Sequence, residues 1–362
     1  MTDPNFAAQP RISIRIFSPK TATSDEWQAY HAYVRQRAFE EEPAEPVLPD
    51  VVRQRDMLID WPLEEAQRRL AFIDDRIAGQ LAMWTRRPGT DDYAAHAQRI
   101  GVSCGVRADA RRRGVGRALL AELEAVMCER DLNLATTSTW TADGKAFLTA
   151  IGAGEKQRMS QNRLDVTHVA PTLLSDWEAL ADRPRGDTGR EELTWEIHPG
   201  RVPLDRYAEM RPQLEVMLNS QPKGTLDWPP YRIQLEAVAA WYKDMDLHGG
   251  DHIMVLLKRG EEIVAMSEAN WPSDFPDRAY QALTAVADGF RGRGYAKAAK
   301  ARLMRAVTER HPTVKLFITS NANTNAAMLA INTQLGFKLY RETRTYQIDR
   351  EAITSAIAHL GH

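Results

Sequence analysis

The hydrophobic pattern of the chain changes period at two places, from the alternation of a strand to the spacing of a helix. The strand-like runs are residues 279–286 in the second half and 100–106 in the first. A glycine turn follows each run, and behind it apolar residues fall on one helical face: Ala296, Ala299, Leu303 and Val307 in the second half, and Leu119, Leu120, Leu123, Val126 and Met127 in the first. The pattern therefore predicts, twice, a strand, a turn and a helix packed against a sheet.

The two turns share the form Arg-x-x-Gly-x-(Gly or Ala) and begin at Arg111 and Arg291, 180 positions apart in a chain of 362 residues. An internal duplication explains that spacing. At a helix start, such a turn presents backbone N–H groups without an intrahelical partner, and the helix dipole adds positive character. Each turn therefore predicts an anion site, although glycine turns also precede helices in folds that bind no ligand.

Other phosphate loops fit these turns less well. A Rossmann fingerprint needs a third glycine where Lys297 and Leu119 stand, and a Walker loop needs Gly-Lys-Ser/Thr, which neither turn has. The turns resemble instead the acetyl-CoA loop of the GNAT superfamily of N-acetyltransferases. The duplicated layout resembles that of tandem-GNAT proteins, of which mycothiol synthase is one, and the resemblance covers essentially the whole chain.

This resemblance implies an α/β fold (an α+β mixed sheet) of two tandem GNAT acyltransferase domains. Each domain is expected to be a central, mostly antiparallel mixed sheet flanked by helices. We expect a partly degenerate N-terminal domain at residues 1–183 and a catalytic C-terminal domain at residues 192–362. The polar stretch 182–191, rich in Pro and Gly, is the predicted linker.

The remaining elements follow from periodicity and capping signals. In the first half we predict a strand at 11–17, a helix from Ser24 to about residue 40 capped by Ser24 or Asp25, a loop at 41–50, a helical segment at 63–69, and strands at 69–73 and 77–85. In the second half we predict a strand at 193–197, helices at 204–218 and 231–247, a hairpin of strands at 252–258 and 263–270, a strand at 314–319, a helix at 325–334, and closing strands at 337–348.

The resemblance also implies where acetyl-CoA, the expected cofactor, would bind. In GNATs the strand before the glycine turn bulges and pairs with pantetheine, which places the thioester beside Thr284, Ala285 and Val286. The turn itself supplies Arg291, Gly292, Arg293, Gly294, Tyr295 and Ala296, and a second segment supplies Asn321 and Asn325. The first-half counterparts are Val106, Arg111, Arg112, Arg113, Gly114, Val115, Gly116 and Arg117, and the sequence leaves open whether they bind CoA, because no asparagine follows in that half.

Transfer of an acyl group to an amine needs a neutral amine, a polarised carbonyl and a stabilised leaving thiolate. Our catalytic candidates are Glu268, as general base, and Tyr280. Many GNATs carry a tyrosine that acts as general acid, seven residues after the asparagine that corresponds to Asn325. This chain has Asn332 at that position. Protonation by water, by Tyr280 or by Tyr346 therefore stays open, and Glu268 has the alternative of an ordinary polar residue on a half-exposed strand.

The composition limits the classes of partner and metal site that we expect for this chain. With 47 basic and 49 acidic residues the net charge is −2, so no overall field attracts nucleic acid or an anionic membrane. Cys104 and Cys128 lack metal-type spacing, so we expect no metal site, and Cys104 is predicted to be buried in a central strand. The apolar runs are too short to span a bilayer and the N-terminus lacks a signal pattern, so we expect a cytoplasmic protein.

These observations predict an acetyl-CoA-dependent N-acetyltransferase that acts on a primary amine of a small molecule by direct attack in a ternary complex, with the C-terminal domain catalytic. One alternative is a non-catalytic acyl-CoA-binding or scaffold protein. Another is an acyltransferase that acts on a protein amine or with a longer acyl group. The sequence decides neither the acceptor nor the acyl length, and a homodimer is compatible with it.

Overall fold

The computed structural model describes residues 11–183 and 192–360. Within these residues the chain forms eleven α-helices and twelve strands. It divides into two compact units, one of residues 1–156 with 344–362 and one of residues 157–343. Apart from its first two residues, the predicted linker 182–191 lies outside the described ranges. None of the described helices is both long enough and apolar enough to cross a bilayer.

The first unit is built on a sheet with strand order β1-β2-β3-β4-β5-β12, in which β4 and β5 are parallel and the other neighbouring strands are antiparallel. Its strands are β1 (Ile12–Ile16), β2 (Glu64–Ile73), β3 (Arg76–Arg86), β4 (Arg99–Val106), β5 (Leu134–Thr139) and residues 344–349 of β12 (Lys338–Asp349). Its helices are α1 (Ser24–Glu41), α2 (Asp50–Met57), α3 (Tyr93–His96), α4 (Val115–Glu129), α5 (Ala142–Ala150) and α11 (Arg350–His359).

The second unit repeats this order as β7-β8-β9-β10-β11-β6, with β10 and β11 parallel and the other neighbours antiparallel. Its strands are β7 (Thr194–Pro199), β8 (Asp251–Arg259), β9 (Glu262–Trp271), β10 (Arg278–Val286), β11 (Leu316–Ala322) and residues 159–165 of β6 (Gly154–Asp165). Its helices are α6 (Pro171–Glu178), α7 (Leu204–Asn219), α8 (Leu235–Leu247), α9 (Tyr295–Arg310) and α10 (Ala326–Leu335). The predicted fold class, two mixed sheets flanked by helices, is confirmed.

The last strand of each repeat completes the sheet of the other repeat. Residues 159–165 of β6 pair with β11, and residues 344–349 of β12 pair with β5. The compact units therefore differ from the predicted bounds of 1–183 and 192–362, because residues 157–183 belong with the second unit and residues 344–362 with the first. Periodicity reveals a strand but does not reveal which neighbouring strand it pairs with, so the exchange could not be read from the pattern.

Helices cover both faces of the second sheet, and this explains why β8 is buried along almost its whole length. On one face, α7 and α8 contribute Tyr207, Met210, Leu214 and Tyr242 to a core with Met254, Leu256 and Met266. On the other face, α9 is rich in alanine and packs closely, with Ala298, Ala299, Ala301 and Leu303 fully buried. The first unit has its main core under α4, around Leu119, Leu123 and Met127.

Several local predictions differ from the structure. The predicted helical segment 63–69 has helix-favouring residues, but residues 64–69 lie in β2, because pairing along the whole of β3 outweighs a modest helix propensity. Helix α2 and the C-terminal helix α11 were not predicted, and α8 begins at Leu235 and not at residue 231. Helix α1 is capped by Thr23 in a capping box with Glu26, one residue before the predicted cap.

Candidate active site

The strand that leads to the second glycine turn, β10, is irregular at its centre. Its register against β9 shifts between Gln281 and Thr284, which is the signature of a β-bulge. Its parallel pairing with β11 covers Arg278–Gln281 and goes no further. Beyond Gln281, β10 has its ladder partner on the β9 side alone, so alternate backbone groups of residues 282–286 face the opening toward β11. The predicted cofactor residues Thr284, Ala285 and Val286 lie on this segment.

The glycine turn ends at the start of α9 with two residues in the left-handed region. Gly292 has φ +75° and Gly294 has φ +83°, and Gly294 caps α9 without a side-chain hydrogen bond. A Cβ at Gly294 would lie 2.9 Å from Leu180 Cδ1, so both the backbone angle and the packing require glycine there. Tyr295 and Ala296 begin the helix, and the Tyr295 ring is fully buried against Phe290, so only the backbone of Tyr295 faces the turn. The turn therefore leaves the first backbone N–H groups of α9 without a side-chain cap.

The two arginines of the turn are held near it by hydrogen bonds. Arg291 forms an ion pair with Asp288 at 2.7 Å and donates to Ser220 Oγ at 3.1 Å. Arg293 donates to the carbonyl of Gly289 at 3.1 Å, and its guanidinium lies 5.0 Å from the Phe290 ring centre. These two cations lie beside the N-terminus of α9, and together they favour an anion at this position.

Three asparagines follow on β11 and α10. Asn325 is the N-cap of α10, where its Oδ1 accepts from the N–H of Met328 at 3.2 Å. Asn332 Nδ2 donates to Asn321 Oδ1 at 2.6 Å. Asn332 is 1% exposed, and its own Oδ1 is buried without a hydrogen-bond partner. The structure therefore joins Asn321 to Asn332, and it shows that Asn325 caps α10.

A buried polar network that the sequence did not predict lies under the bulge. Lys300 of α9 donates to Gln281 Oε1 at 2.5 Å, and Gln281 Nε2 donates to Ser267 Oγ at 3.0 Å and to Thr284 Oγ1 at 3.3 Å. The hydroxyls of Ser267 and Thr284 are 2.8 Å apart. Lys300 is 2% exposed, and burial lowers its pKa to about 7. The network joins α9 to both strands where their register shifts.

The catalytic candidates Glu268 and Tyr280 lie on the opposite face of the sheet, toward α7 and α8. Tyr280 pairs with Asn270 in the register of β10 and β9, and Glu268 is two residues before Asn270, so the two candidates share a face and are diagonal neighbours. Tyr280 is half-buried, and the Glu268 side chain is 18% exposed. The structure therefore brings the two together beside the bulge, whereas Tyr346 lies in the other unit, in the core under α4.

His252 is the partner of Glu268 that sequence reasoning missed. Its Nε2 lies 3.2 Å from Glu268 Oε2, and its Nδ1 lies 3.2 Å from the hydroxyl of Tyr242. Burial raises the pKa of Tyr242 to about 12, with the Glu268 charge adding to it. Counting back from the Arg259–Glu262 pair at the hairpin turn would have paired His252 with Ala269, because the register shifts by one residue between Leu257 and Lys258. The predicted hairpin therefore carried no signal for this contact.

The first repeat keeps the turn but not its surroundings. Gly114 has φ +85° and caps α4, and Arg112, with φ +59°, stands where the second repeat has Gly292. Arg111 forms an ion pair with Asp143 of α5 and also donates to the carbonyl of Val106. Gly116 faces the Phe147 ring, which a Cβ would approach to 3.2 Å, and Val115 is buried. Arg113 and Arg117 are exposed.

The strand of the first repeat, β4, also differs. It pairs with β3 without a register shift, and its parallel pairing with β5 covers Arg99–Val102. Ser103 and Cys104 lie past the end of that pairing and are exposed, so the expectation of a buried Cys104 was wrong. A strand that splays from its parallel neighbour, followed by a glycine turn and a helix, is thus present twice, but the bulge is present in the second repeat alone.

A sheet that splays between two parallel strands and delivers a glycine turn to a helix defines an acyltransferase fold of the acetyltransferase type. The model of the Acetyltransferase (GNAT) family matches residues 27–148 and 218–337, about two thirds of the chain. The chain therefore belongs to this family, and it carries two GNAT domains. The catalytic and cofactor-binding assignments of individual residues stay predictions.

Two solved structures have a similar fold over nearly their whole length. A tandem GNAT protein from the clavulanic acid biosynthesis pathway is 18% identical with a TM-score of 0.69, covering 94% of this chain and 99% of that one. A GCN5-related N-acetyltransferase from Sphaerobacter thermophilus is 14% identical with a TM-score of 0.63, covering 94% of this chain and 96% of that one. Identities this low support the fold and no finer property. A search of curated proteins found no match.

Proposed function

We propose that the chain is an acetyl-CoA-dependent N-acetyltransferase whose second repeat transfers the acetyl group to a primary amine of a small molecule by direct attack. The observation that carries the proposal is the bulge in β10 between Gln281 and Thr284. It lies between the turn that would bind the diphosphate and the face that holds Glu268. No equivalent shift occurs between β3 and β4.

The residues of the second repeat fit acetyl-CoA. Gly292 and Gly294 bring bare backbone to the uncapped start of α9, beside the cations of Arg291 and Arg293. The segment 282–286 offers unpaired strand backbone, on which an extended amide-containing arm can form hydrogen bonds as an added strand does. When bound, acetyl-CoA supplies an acetyl group already activated as a thioester.

The remaining roles fall to this chain's own groups. A backbone N–H of residues 284–286 would polarise the acyl oxygen, because it is held rigidly and points into the opening. The Glu268 carboxylate would receive the proton of the amine. Trp241, Tyr242 and Tyr207 surround this face with aromatic rings, and together with a carboxylate they suit an amine that arrives as a cation.

A specific observation favours the second candidate function, a non-catalytic acyl-CoA-binding protein. Asn332 takes the place of a tyrosine acid, and its amide can donate a hydrogen bond but cannot supply a proton. A catalytic chain must then protonate the leaving thiolate by water or by another group. We therefore test binding and turnover separately.

The first experiment is calorimetric titration of acetyl-CoA into the wild type, Gly294→Glu and Gly114→Glu. The two glycines are matched in backbone conformation, since both are N-caps with φ near +84°, and both substitutions place a carboxylate in the turn. They differ in packing, because a Cβ would lie 2.9 Å from Leu180 at Gly294 and 3.4 Å from Ile12 at Gly114. We expect Gly294→Glu to abolish binding and Gly114→Glu to leave the affinity unchanged, with thermal unfolding as the check on folding.

Loss of binding divided between the two variants would indicate two occupied sites, and a wild type that does not bind acetyl-CoA would overturn the proposal. The same protein is then assayed for release of the CoA thiol with an amino sugar, a polyamine and an aminoglycoside. Binding without thiol release across these amines would support the non-catalytic candidate.

A further inference from the structure

Three polar side chains form a hydrogen-bonded row on the face of the second sheet that packs against α7 and α8. Glu268 Oε2 lies 3.2 Å from His252 Nε2, and His252 Nδ1 lies 3.2 Å from the Tyr242 hydroxyl. The row ends at the backbone N–H of Val202, which donates to the Tyr242 oxygen at 3.2 Å. Of the three side chains, Glu268 is the most exposed at 18%, whereas Tyr242 is 7% exposed and His252 is 0% exposed. Its open end is therefore the carboxylate.

The row allows one proton arrangement that satisfies every member. Since Val202 donates to the Tyr242 oxygen, the Tyr242 O–H is available to donate to His252 Nδ1. A neutral imidazole with Nδ1 as acceptor carries its hydrogen on Nε2, and it donates that hydrogen to Glu268. The opposite tautomer would turn the Nε2 lone pair toward the carboxylate and repel it. The geometry therefore favours the Nε2–H form of His252 beside an ionised Glu268.

Aromatic packing prevents the imidazole from turning. Trp241 meets the His252 ring edge-on with the centroids 4.9 Å apart, and Trp241 stacks on Tyr242 at 5.0 Å. On the strand side, His252 lies in β8 and pairs with Asn270 of β9. One oxygen of Glu268 is thus tied to a fixed ring, while the other has no hydrogen-bond partner among the described residues.

We infer that His252, supported by Tyr242, is a positioning residue that aims the Glu268 carboxylate at the amine of the substrate. This inference rests on the proposed function. In the step that it serves, the amine nitrogen forms a bond to the acyl carbon, and the carbon–sulfur bond breaks with its electron pair going to sulfur. The amine proton passes to the Glu268 oxygen that His252 leaves open, and water protonates the thiolate.

The test is a double-mutant cycle in the full chain, with kcat and KM measured for an amine that the wild type acetylates. His252→Leu fills the buried space but removes both hydrogen bonds, and we expect kcat to fall about tenfold or more, with the calorimetric Kd for acetyl-CoA unchanged. His252→Gln keeps an N–H donor for Glu268 and should recover a large part of kcat. Tyr242→Phe should show a smaller loss of kcat.

The coupling between the His252 and Glu268 substitutions distinguishes a positioning role of His252 from a merely structural one. If His252 acts through Glu268, then His252→Leu added to Glu268→Gln should cost no further activity. The tautomer is measured directly from the ¹⁵N shifts of the His252 ring, where we expect the hydrogen on Nε2. Independent, additive losses or an Nδ1–H tautomer would overturn the inference while leaving acetyl transfer intact. A wild type that binds acetyl-CoA but acetylates no amine would instead overturn the proposed function, and this inference with it.

Discussion

The two repeats share a glycine turn but differ in the strand that leads to it. β4 has eight residues and an unbroken register, whereas β10 has nine residues and a register shift between Gln281 and Thr284. The last residue paired with the parallel neighbour is Val102 in the first repeat and Gln281 in the second. The register shift means that β10 has one more residue than β9 at the bulge. At the position where the parallel pairing ends, the apolar Val102 of the first repeat is replaced by the polar Gln281 of the second.

The helices that follow the two turns also differ, in one buried side chain. Six residues after the capping glycine, α4 has Leu120 and α9 has Lys300, and both are buried. Lys300 bonds Gln281, which in turn bonds the hydroxyls on both sides of the register shift. A buried lysine is costly, and the first repeat shows that the fold does not need one. The comparison suggests that the polar network holds the bulge open for function and not for stability.

The largest effect should come from replacing Lys300. Burial lowers its pKa to about 7 from an ordinary 10.5, so between these values the folded chain binds fewer protons than the unfolded chain. The free energy of unfolding of the wild type therefore rises between pH 7 and pH 10.5, by about 1.4 kcal/mol per pH unit from this group. We expect Lys300→Leu to be stabilising relative to the wild type below pH 7 and to lose that advantage as the pH approaches 10.5.

Urea unfolding at a series of pH values measures this difference, with Leu120→Met as the matched control in the first repeat. The control variant should differ from the wild type by an amount that does not change with pH. An effect of Lys300→Leu that is equally independent of pH would show that Lys300 stays charged in the folded chain, and the comparison of the two cores would lose its basis.

A smaller effect, on acetyl-CoA affinity, should come from placing in the second repeat an aspartate equivalent to Asp143 of the first. Asp143 lies two residues after the N-cap of α5 and pairs with Arg111, and Ala327 occupies the same place in α10. Ala327 is exposed and in the first helical turn, where an acid does not disturb the helix. We expect Ala327→Asp to weaken acetyl-CoA binding about tenfold, about 1.4 kcal/mol, because its carboxylate competes with phosphate for Arg291.

Calorimetry checks this value, and Ala327→Asn serves as the uncharged control of similar size. Equal loss of affinity in both variants would point to a steric cause. An unchanged affinity in Ala327→Asp would mean that this helix start does not face the diphosphate.

The smallest effect should come from removing the acid of the first repeat. The Arg111–Asp143 pair is largely exposed at Asp143, so Asp143→Ala should change the free energy of unfolding by less than about 1 kcal/mol. Because β4 still lacks the bulge, we also expect calorimetry to find no additional acetyl-CoA site. A second site in Asp143→Ala would show that the ion pair, and not the strand, separates the two repeats.

Much of the fold was accessible from the sequence because its signals are local. The glycines at 114 and 294 occupy the left-handed region that the turns demand, and the change of period behind them marks α4 and α9. The errors also have a local origin. Residues 64–69 of the predicted helical segment form a strand by pairing with β3. Helix α2 begins at Asp50, the last residue of the predicted loop, and continues through residues for which no element was predicted.

The candidate site divides in the same way. Its glycine turn follows from a motif of residues close in the chain. Glu268 and Tyr280 were candidates on two predicted strands, and their shared face depends on the register between β9 and β10. The contact of His252 with Glu268 joins two strands, and the network from Lys300 to Thr284 joins a helix to two strands. Their positions were predicted as strand or helix, but not their contacts.

By itself, the sequence determined that this protein has two GNAT repeats, each with a glycine turn between a strand and a helix, because periodicity and backbone freedom are properties of short segments. The tertiary structure alone decided that β6 and β12 complete each other's sheets, that β10 bulges where β4 does not, and that His252 reaches Glu268. These depend on the register between segments distant in the chain, and a shift of one residue in that register turns every side chain to the opposite face.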